Sequence, residues 1–189
     1  MYIGHVALAM GAKGVRPRIP IAVLVPVAFA PDWIEWMLAA VGRHNRELSH
    51  SLVSVGVGAT VVALLYWMAS KSPRDAAVVW LTYVSHWPAD FITGFKPTWP
   101  GGPVVGLGLY GNPIADVIVE WSLIVICWLI YRRSLPPKPR STKVGWLMPA
   151  GLMAMQVAFY AIQNPEVKEQ VREVISMISP RRGPSLHSG

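Results

Sequence analysis

The sequence predicts an all-α, polytopic integral membrane protein with about five transmembrane helices. The chain is 53% hydrophobic and only 14% charged, whereas a soluble domain is about one quarter charged. Its apolar residues also fall in blocks of roughly 20, which is the length that a helix needs to cross a bilayer. We therefore expect residues 1–164 to form one helical membrane domain.

The predicted spans are the segments 19–41, 51–70, 76–95, 113–131 and 144–163. Residues 3–12 are apolar but too few to cross, which predicts a re-entrant or tucked N-terminal helix. The apolar residues of segment 165–178 share one helical face, which is typical of an amphipathic helix at a membrane surface. The polar tail, residues 179–189, is expected to be disordered.

Basic residues between the apolar blocks give the expected orientation. By the positive-inside rule the cytoplasmic segments are those that carry Lys13, Arg16, Arg18, Lys71, Arg74, Arg132, Arg133, Lys138, Arg140 and Lys143. The loops 42–50 and 96–112 then face outward; Arg43 and Arg46 in the first oppose this orientation, and the second carries only Lys96. Because the positive charge lies in loops and no basic–aromatic module is visible, we expect no nucleic-acid partner.

Ionisable residues of the first four predicted spans lie towards the predicted outer side. In the stretch YVSHWPAD, His86 and Asp90 are four residues apart, so they lie one helical turn apart and face the same way. Asp116 and Glu120 repeat this spacing. The other candidates at this level are His5, Asp32, Glu35, His44 and His50. Any one of them could be a hydrogen-bonded core residue or a helix cap, but intramembrane ionisable groups are costly and usually functional.

A divalent metal explains this set of residues. Carboxylates without nearby cations repel one another, no Arg or Lys lies in the outer half of any predicted span, and a bound cation removes the repulsion. Imidazole and carboxylate ligands favour Zn or another transition metal such as Mn, and the single Cys127 cannot build a thiolate site. The predicted ligands of one or more ions are His5, Asp32, His50, His86, Asp90 and Asp116.

The order of these motifs resembles the membrane-bound metal-dependent hydrolase family of bacterial inner membranes. The matching elements over roughly residues 1–133 are GH near the N-terminus, PD-x-x-E, an H…SHS element and H-x-x-x-D. The family is similar in motif order to zinc-dependent phospholipase C, whose paired helices would correspond here to His86/Asp90 and, as a variant, Asp116/Glu120. Glu35 stands one position later than the second acid of the family's PDxD motif.

The resemblance implies a bacterial inner-membrane hydrolase, and the orientation expected from the loop charges places its site on the outer, periplasmic side. We expect it to cleave an ester, above all a phosphoester of a membrane lipid or lipid-linked substrate, with a metal-activated water. The candidate catalytic residues are Glu120 as base or further ligand, His44 as proton shuttle or outer ligand, and Glu35. The alternatives are a non-catalytic subunit that binds a membrane-complex partner or another copy, and an ion transporter. The inner halves of the predicted spans contain almost no ionisable residues. Because an ion pathway should run the full depth of the membrane, this disfavours a transporter.

Overall fold

The computed structural model describes residues 2–43, 45–136 and 143–163, and this part of the chain is mostly α-helical, as predicted. The candidate residue His44, the predicted surface helix 165–178 and the tail 179–189 lie outside the described residues. The elements are α1 (Tyr2–Val15), α2 (Ile21–Ala28), α3 (Ala30–Ala40), α4 (Glu47–His50), α5 (Leu52–Ser70), α6 (Pro73–Val84), α7 (His86–Thr93), β1 (Lys96–Pro97), β2 (Val104–Val105), α8 (Pro113–Tyr131) and α9 (Leu147–Gln163). The two strands form an antiparallel hairpin.

Within the described residues, two helices are long and apolar enough to cross a membrane. They are α5 and α8, the latter extended by one tight turn to Ser134, and they coincide with the predicted spans 51–70 and 113–131. The pair α2 and α3 passes the same length and hydropathy test only if both helices are counted together, and it is bent by 58°. The remaining apolar helices are shorter, so the structure supports two spans, or three with the bent pair.

Prolines account for the breaks in two predicted spans. The segment 76–95 is not one continuous helix, because α6 ends at Val84 and α7 begins at His86. Pro88 lies in the first turn of α7, where it cannot donate a hydrogen bond back to Val84 and its ring crowds that carbonyl group. Pro31 occupies the corresponding place in the first turn of α3. Each break therefore starts a new helix close to a predicted ligand.

The N-terminal helix α1 lies at the centre of the fold rather than at its edge. It packs along α8 through two glycines, Gly11 and Gly14. A Cβ atom at Gly14 would come within 2.5 Å of the carbonyl group of Ile130, and one at Gly11 would come within 3.1 Å of Sγ of Cys127. Small residues of this kind allow two helix backbones to approach closely. This packing buries His5 beside the other candidate ligands.

An ion-pair cluster joins the other end of α1 to the start of α6. Nε of Arg16 lies 2.7 Å from Oδ1 of Asp75, and Nε of Arg18 lies 2.7 Å from Oδ2 of the same carboxylate. Burial acts to raise the pKa of Asp75, but the hydrogen bonds from Arg16, Arg18 and Ser72 hold it below its ordinary value. The carboxylate is therefore ionised at neutral pH and fixes the turn between α1 and α2 against α6.

Candidate metal centre

Five of the predicted ligands converge from four separate helices. Their donor atoms belong to three overlapping groups, and within each group these atoms lie within 4.8 Å of one another. The groups are His5–Asp32–His86, His50–His86–Asp90 and Asp32–Glu35–His50. The residues come from α1, α3, α4 and α7, so tertiary packing and not local sequence brings them together.

The hydrogen bonding of His86 determines which ring nitrogen faces the cluster. Its Nδ1 lies 2.9 Å from the carbonyl oxygen of Ala28, and because a carbonyl group can only accept, Nδ1 carries the proton. In the neutral ring, Nε2 then has a free lone pair. This atom is buried, lacks a hydrogen-bond partner among the described residues, and lies 3.3 Å from Oδ2 of Asp90 and 3.8 Å from Oδ1 of Asp32. In its neutral form the ring thus directs an electron-rich nitrogen towards two carboxylates.

The other two histidines complete the same cluster. The ring of His5 stacks on that of His86 with 4.0 Å between centroids, and its Nε2 lies 3.4 Å from Oδ1 of Asp90. Nε2 of His50 lies 3.1 Å from Oδ1 of Asp32, while its Nδ1 contacts the Ser49 hydroxyl at 2.8 Å. A backbone carbonyl and a hydroxyl that orient imidazole rings in this way are common supports of metal-binding histidines.

Two loop cations reach the acidic residues, which corrects the expectation that no cation lies near them. Nζ of Lys96 lies 2.6 Å from Oδ2 of Asp90, and Nε of Arg46 lies 2.7 Å from Oε1 of Glu35. Both cations precede or follow the predicted spans, and the loops fold back over the cluster. Glu35 is partly exposed at the edge of the site and also lies 3.4 Å from Nδ1 of His50.

The pair Asp116 and Glu120 is buried on α8 but lies outside the three groups. The carboxylate of Glu120 accepts a hydrogen bond from the backbone N–H of Gly4 at the start of α1. Oδ1 of Asp116 and Oε2 of Glu120 have no hydrogen-bond partner among the described residues. The structure therefore places Glu120 beside α1, and Asp116 is in none of the groups whose donor atoms lie within 4.8 Å of one another.

Three residues at the site were not predicted from the sequence as part of it. They are Ser49, Lys96 and Tyr110. Tyr110 lies in the loop before α8. Desolvation raises its pKa, and so do the negative charges of Asp90, Glu120 and Asp116. A hydrogen bond with Thr93 lowers the pKa but is outweighed by these effects. Lys96 gave a signal as the single charged residue of the loop 96–112, and Ser49 belongs to the H…SHS element.

The donor atoms fit a divalent transition metal. Imidazole nitrogens and carboxylate oxygens are suitable ligands for Zn or Mn, and the unpartnered buried atoms include Nε2 of His86 and Nδ1 of His5. Comparison of the chain with family models, with curated proteins and with solved structures finds no match.

Proposed function

We propose that the protein is a multi-pass membrane hydrolase that holds a divalent metal, Zn or Mn, with His5, Asp32, His50, His86 and Asp90. Its substrate is an ester, and we favour a phosphoester of a lipid or lipid-linked molecule. The observation that carries the proposal is the orientation of His86, whose Nδ1 donates to the carbonyl oxygen of Ala28 and whose Nε2 faces the carboxylates of Asp32 and Asp90. Facing acceptors repel one another unless a cation lies between them.

A metal ion satisfies this arrangement better than added protons do. Protonating both His5 and His86 would place two positive rings face to face with only 4.0 Å between their centroids. One divalent ion would instead accept both lone pairs and neutralise the carboxylates, leaving the rings neutral. When bound, such an ion supplies Lewis acidity towards a phosphoryl oxygen and lowers the pKa of water.

Other residues of the chain would orient the ligands, exchange a proton with water and attract the substrate. The carbonyl group of Ala28 holds the His86 ring in one orientation, and the Ser49 hydroxyl does the same for His50. Glu35, at the exposed edge of the cluster, is better placed than Glu120 to exchange a proton with water, since Glu120 is buried against α1. Lys96 adds a positive charge that would attract an anionic substrate.

Exposed aromatic residues near the site support a lipid substrate. Trp33 and Trp36 on α3 and Trp99 in the hairpin are about half exposed or more, at 48%, 65% and 52%. Tryptophan is enriched where proteins meet the membrane–water interface. In the proposed topology this level is the outer, periplasmic side of a bacterial inner membrane. A site at that depth meets lipid headgroups directly.

The first test is the metal content of the detergent-purified protein, measured by plasma mass spectrometry. We expect at least one equivalent of Zn or Mn in the wild type and a loss of metal in His86→Ala and Asp90→Asn. Glu47→Gln is the matched control, because it removes a carboxylate that bonds to Gly101 outside the three groups. A phosphoester and lipid screen with the metal-loaded protein follows. A metal-free wild type that stays metal-free after metal is added back would refute the proposal.

A second candidate function is favoured by the contact between Lys96 and Asp90. Because the ammonium group lies 2.6 Å from this carboxylate, the charge of Asp90 is balanced without a metal at this position. Such a site suits a non-catalytic subunit that keeps the hydrolase architecture and binds a membrane-complex partner. Bound metal without turnover, together with a partner that co-purifies in stoichiometric amount, would favour this function over hydrolysis.

A further inference from the structure

A basic cavity lies at the end of α1 opposite to the metal centre. It has a volume of about 480 Å³ and is lined by Arg16, Pro17, Arg18 and Arg74. This volume is within the roughly 300–1,000 Å³ that is usual for sites that bind small molecules. Because Arg16 follows His5 by 11 positions, the length of α1 separates the cavity from the metal centre by about 16 Å.

The charges around the cavity do not balance. Three guanidinium groups line it, and among the described residues the acid that contacts them is Asp75, which pairs with Arg16 and Arg18. Arg74 is exposed and makes no ion pair within the described part of the chain. Two positive charges are therefore left without a counter-charge among the described residues. The N-terminus of α6, which begins at Pro73, adds a partial positive charge at the same place.

The pairing with Asp75 orients Arg16 and Arg18 and uses only part of each guanidinium group. Arg16 uses its Nε and Nη2 atoms on Asp75, and Arg18 uses its Nε atom there and its Nη2 atom on the Ser72 hydroxyl. No contact among the described residues uses the Nη1 group of either side chain, so both groups are available to a ligand. A guanidinium group held by a carboxylate on one edge is pre-organised to bind a tetrahedral oxyanion with the other.

We propose that this cavity binds a phosphate group, carried by an anionic phospholipid headgroup or by free phosphate. Arginine forks bind phosphate oxygens through paired, charge-assisted hydrogen bonds. In the proposed topology the cavity faces the cytoplasmic leaflet, where basic pockets between membrane helices bind anionic headgroups. The site is independent of the metal centre, and its ligand would stabilise the joint between α1 and α6.

The test uses the full-length protein in a neutral detergent. Native mass spectrometry compares the binding of phosphatidylglycerol with that of phosphatidylcholine, and calorimetry measures inorganic phosphate on the same preparation. Arg74→Gln removes the guanidinium group of the cavity that makes no ion pair with any described residue. Arg133→Gln is the matched control, because this arginine is exposed, belongs to the same set of predicted cytoplasmic residues and does not line the cavity.

We expect the wild type to prefer phosphatidylglycerol, and Arg74→Gln to weaken its binding about fivefold, the effect of one basic residue near an anionic surface. Arg133→Gln should stay within twofold of the wild type. Binding of inorganic phosphate that also depends on Arg74 would identify free phosphate as the source and equally support the site. Equal losses in both variants would reveal only diffuse surface attraction, and no binding of either ligand would refute the site; both results overturn the proposal.

Discussion

The ammonium group of Lys96 lies 2.6 Å from Oδ2 of Asp90, the same oxygen that faces Nε2 of His86 at 3.3 Å. Lys96 is the first residue of β1, and its pairing with β2 holds it over the cluster. One carboxylate oxygen is therefore shared between a tethered cation and the nitrogen of a candidate metal ligand. A metal that binds here must compete with the lysine for Asp90.

Replacing Lys96 by Met should therefore tighten metal binding. The substitution removes the competing ammonium group and leaves Asp90 free to coordinate. A hydrogen bond to a charged group contributes about 1.5–3 kcal/mol, so we expect the metal dissociation constant to fall about tenfold. Competition with a chromogenic Zn chelator measures this constant in detergent solution.

Lys71→Met is the control for this prediction, because Lys71 is an exposed lysine at the end of α5, outside the three groups. It should leave the metal dissociation constant unchanged. A weaker affinity in Lys96→Met than in the wild type would show that the lysine supports the bound state and does not compete with the metal.

Two predicted ligands that the structure places differently, Asp116 and His86, should differ in their effect on metal binding. Asp116 lies outside the three groups, whereas His86 belongs to two of them. Asp116→Asn should keep the metal dissociation constant within about twofold, and His86→Ala should raise it at least about 100-fold, since even residues that only support ligands contribute 10–100-fold. Equilibrium dialysis with Zn measures both constants, and the helix content by circular dichroism checks the fold of each variant. A metal loss in Asp116→Asn would extend the site to α8.

The contact between His86 and Asp90 could be predicted from the sequence, because a spacing of four residues within one helix fixes their separation. The contact between Lys96 and Asp90 could not. Its distance depends on the path of a loop and on a two-residue strand pairing, neither of which leaves a periodic pattern. The same limit hid Tyr110, which lies in a loop whose path the sequence pattern does not reveal, whereas Ser49 contacts its sequence neighbour His50.

The sequence contains a signal for the helix breaks, but the length of the apolar blocks favoured continuous spans. Pro31 and Pro88 each lie inside an apolar block of spanning length, and proline is tolerated in the first turn of a helix but not in its interior. Block length alone therefore predicts one span where the chain forms two helices, as with α6 and α7. The two blocks without such a proline, 51–70 and 113–131, form continuous helices close to the predicted bounds.

The stability of the protein should depend on Asp75 in a pH-dependent manner. The pKa of Asp75 is lower in the folded protein than its ordinary value of 3.8, because the hydrogen bonds from Arg16, Arg18 and Ser72 outweigh its burial. A lowered pKa stabilises the folded state above the unfolded value, and this contribution is lost as the pH falls through the folded pKa. Asp75→Asn should therefore lower the Tm at pH 7, and the difference from the wild type should shrink below pH 3.8.

Thermal unfolding in detergent, followed by intrinsic tryptophan fluorescence between pH 7 and pH 3, measures this difference. Glu47→Gln is a suitable comparison, because its carboxylate binds a backbone N–H of Gly101 and no arginine among the contacts of the structure. A gap between the wild type and Asp75→Asn that stays constant down to pH 3 would show that the ion pairs do not stabilise the fold.

The close packing of α1 against α8 should make Gly14 intolerant of even one extra carbon atom. In Gly14→Ala the new Cβ would come within 2.5 Å of the Ile130 carbonyl group, and because that obstacle is backbone the helices must move apart. Overpacking of this kind lowers the free energy of unfolding by about 1–3 kcal/mol. Since α1 also carries His5, the shift should weaken metal binding as well. Chemical unfolding in mixed micelles measures the first effect and equilibrium dialysis the second.

Gly56→Ala separates this steric effect from helix propensity. Gly56 lies within α5, and nothing lies within 4 Å of the place that its Cβ would occupy. Alanine at an open helical position stabilises by about 0.5–1 kcal/mol relative to glycine, so Gly56→Ala should leave the free energy of unfolding unchanged or raise it. Gly14→Ala should thus lower the free energy of unfolding, whereas Gly56→Ala should not. Metal binding should change only in Gly14→Ala. If both variants change the free energy of unfolding and metal binding equally, α1 and α8 do not pack closely at Gly14, and their contact does not hold His5 at the metal centre.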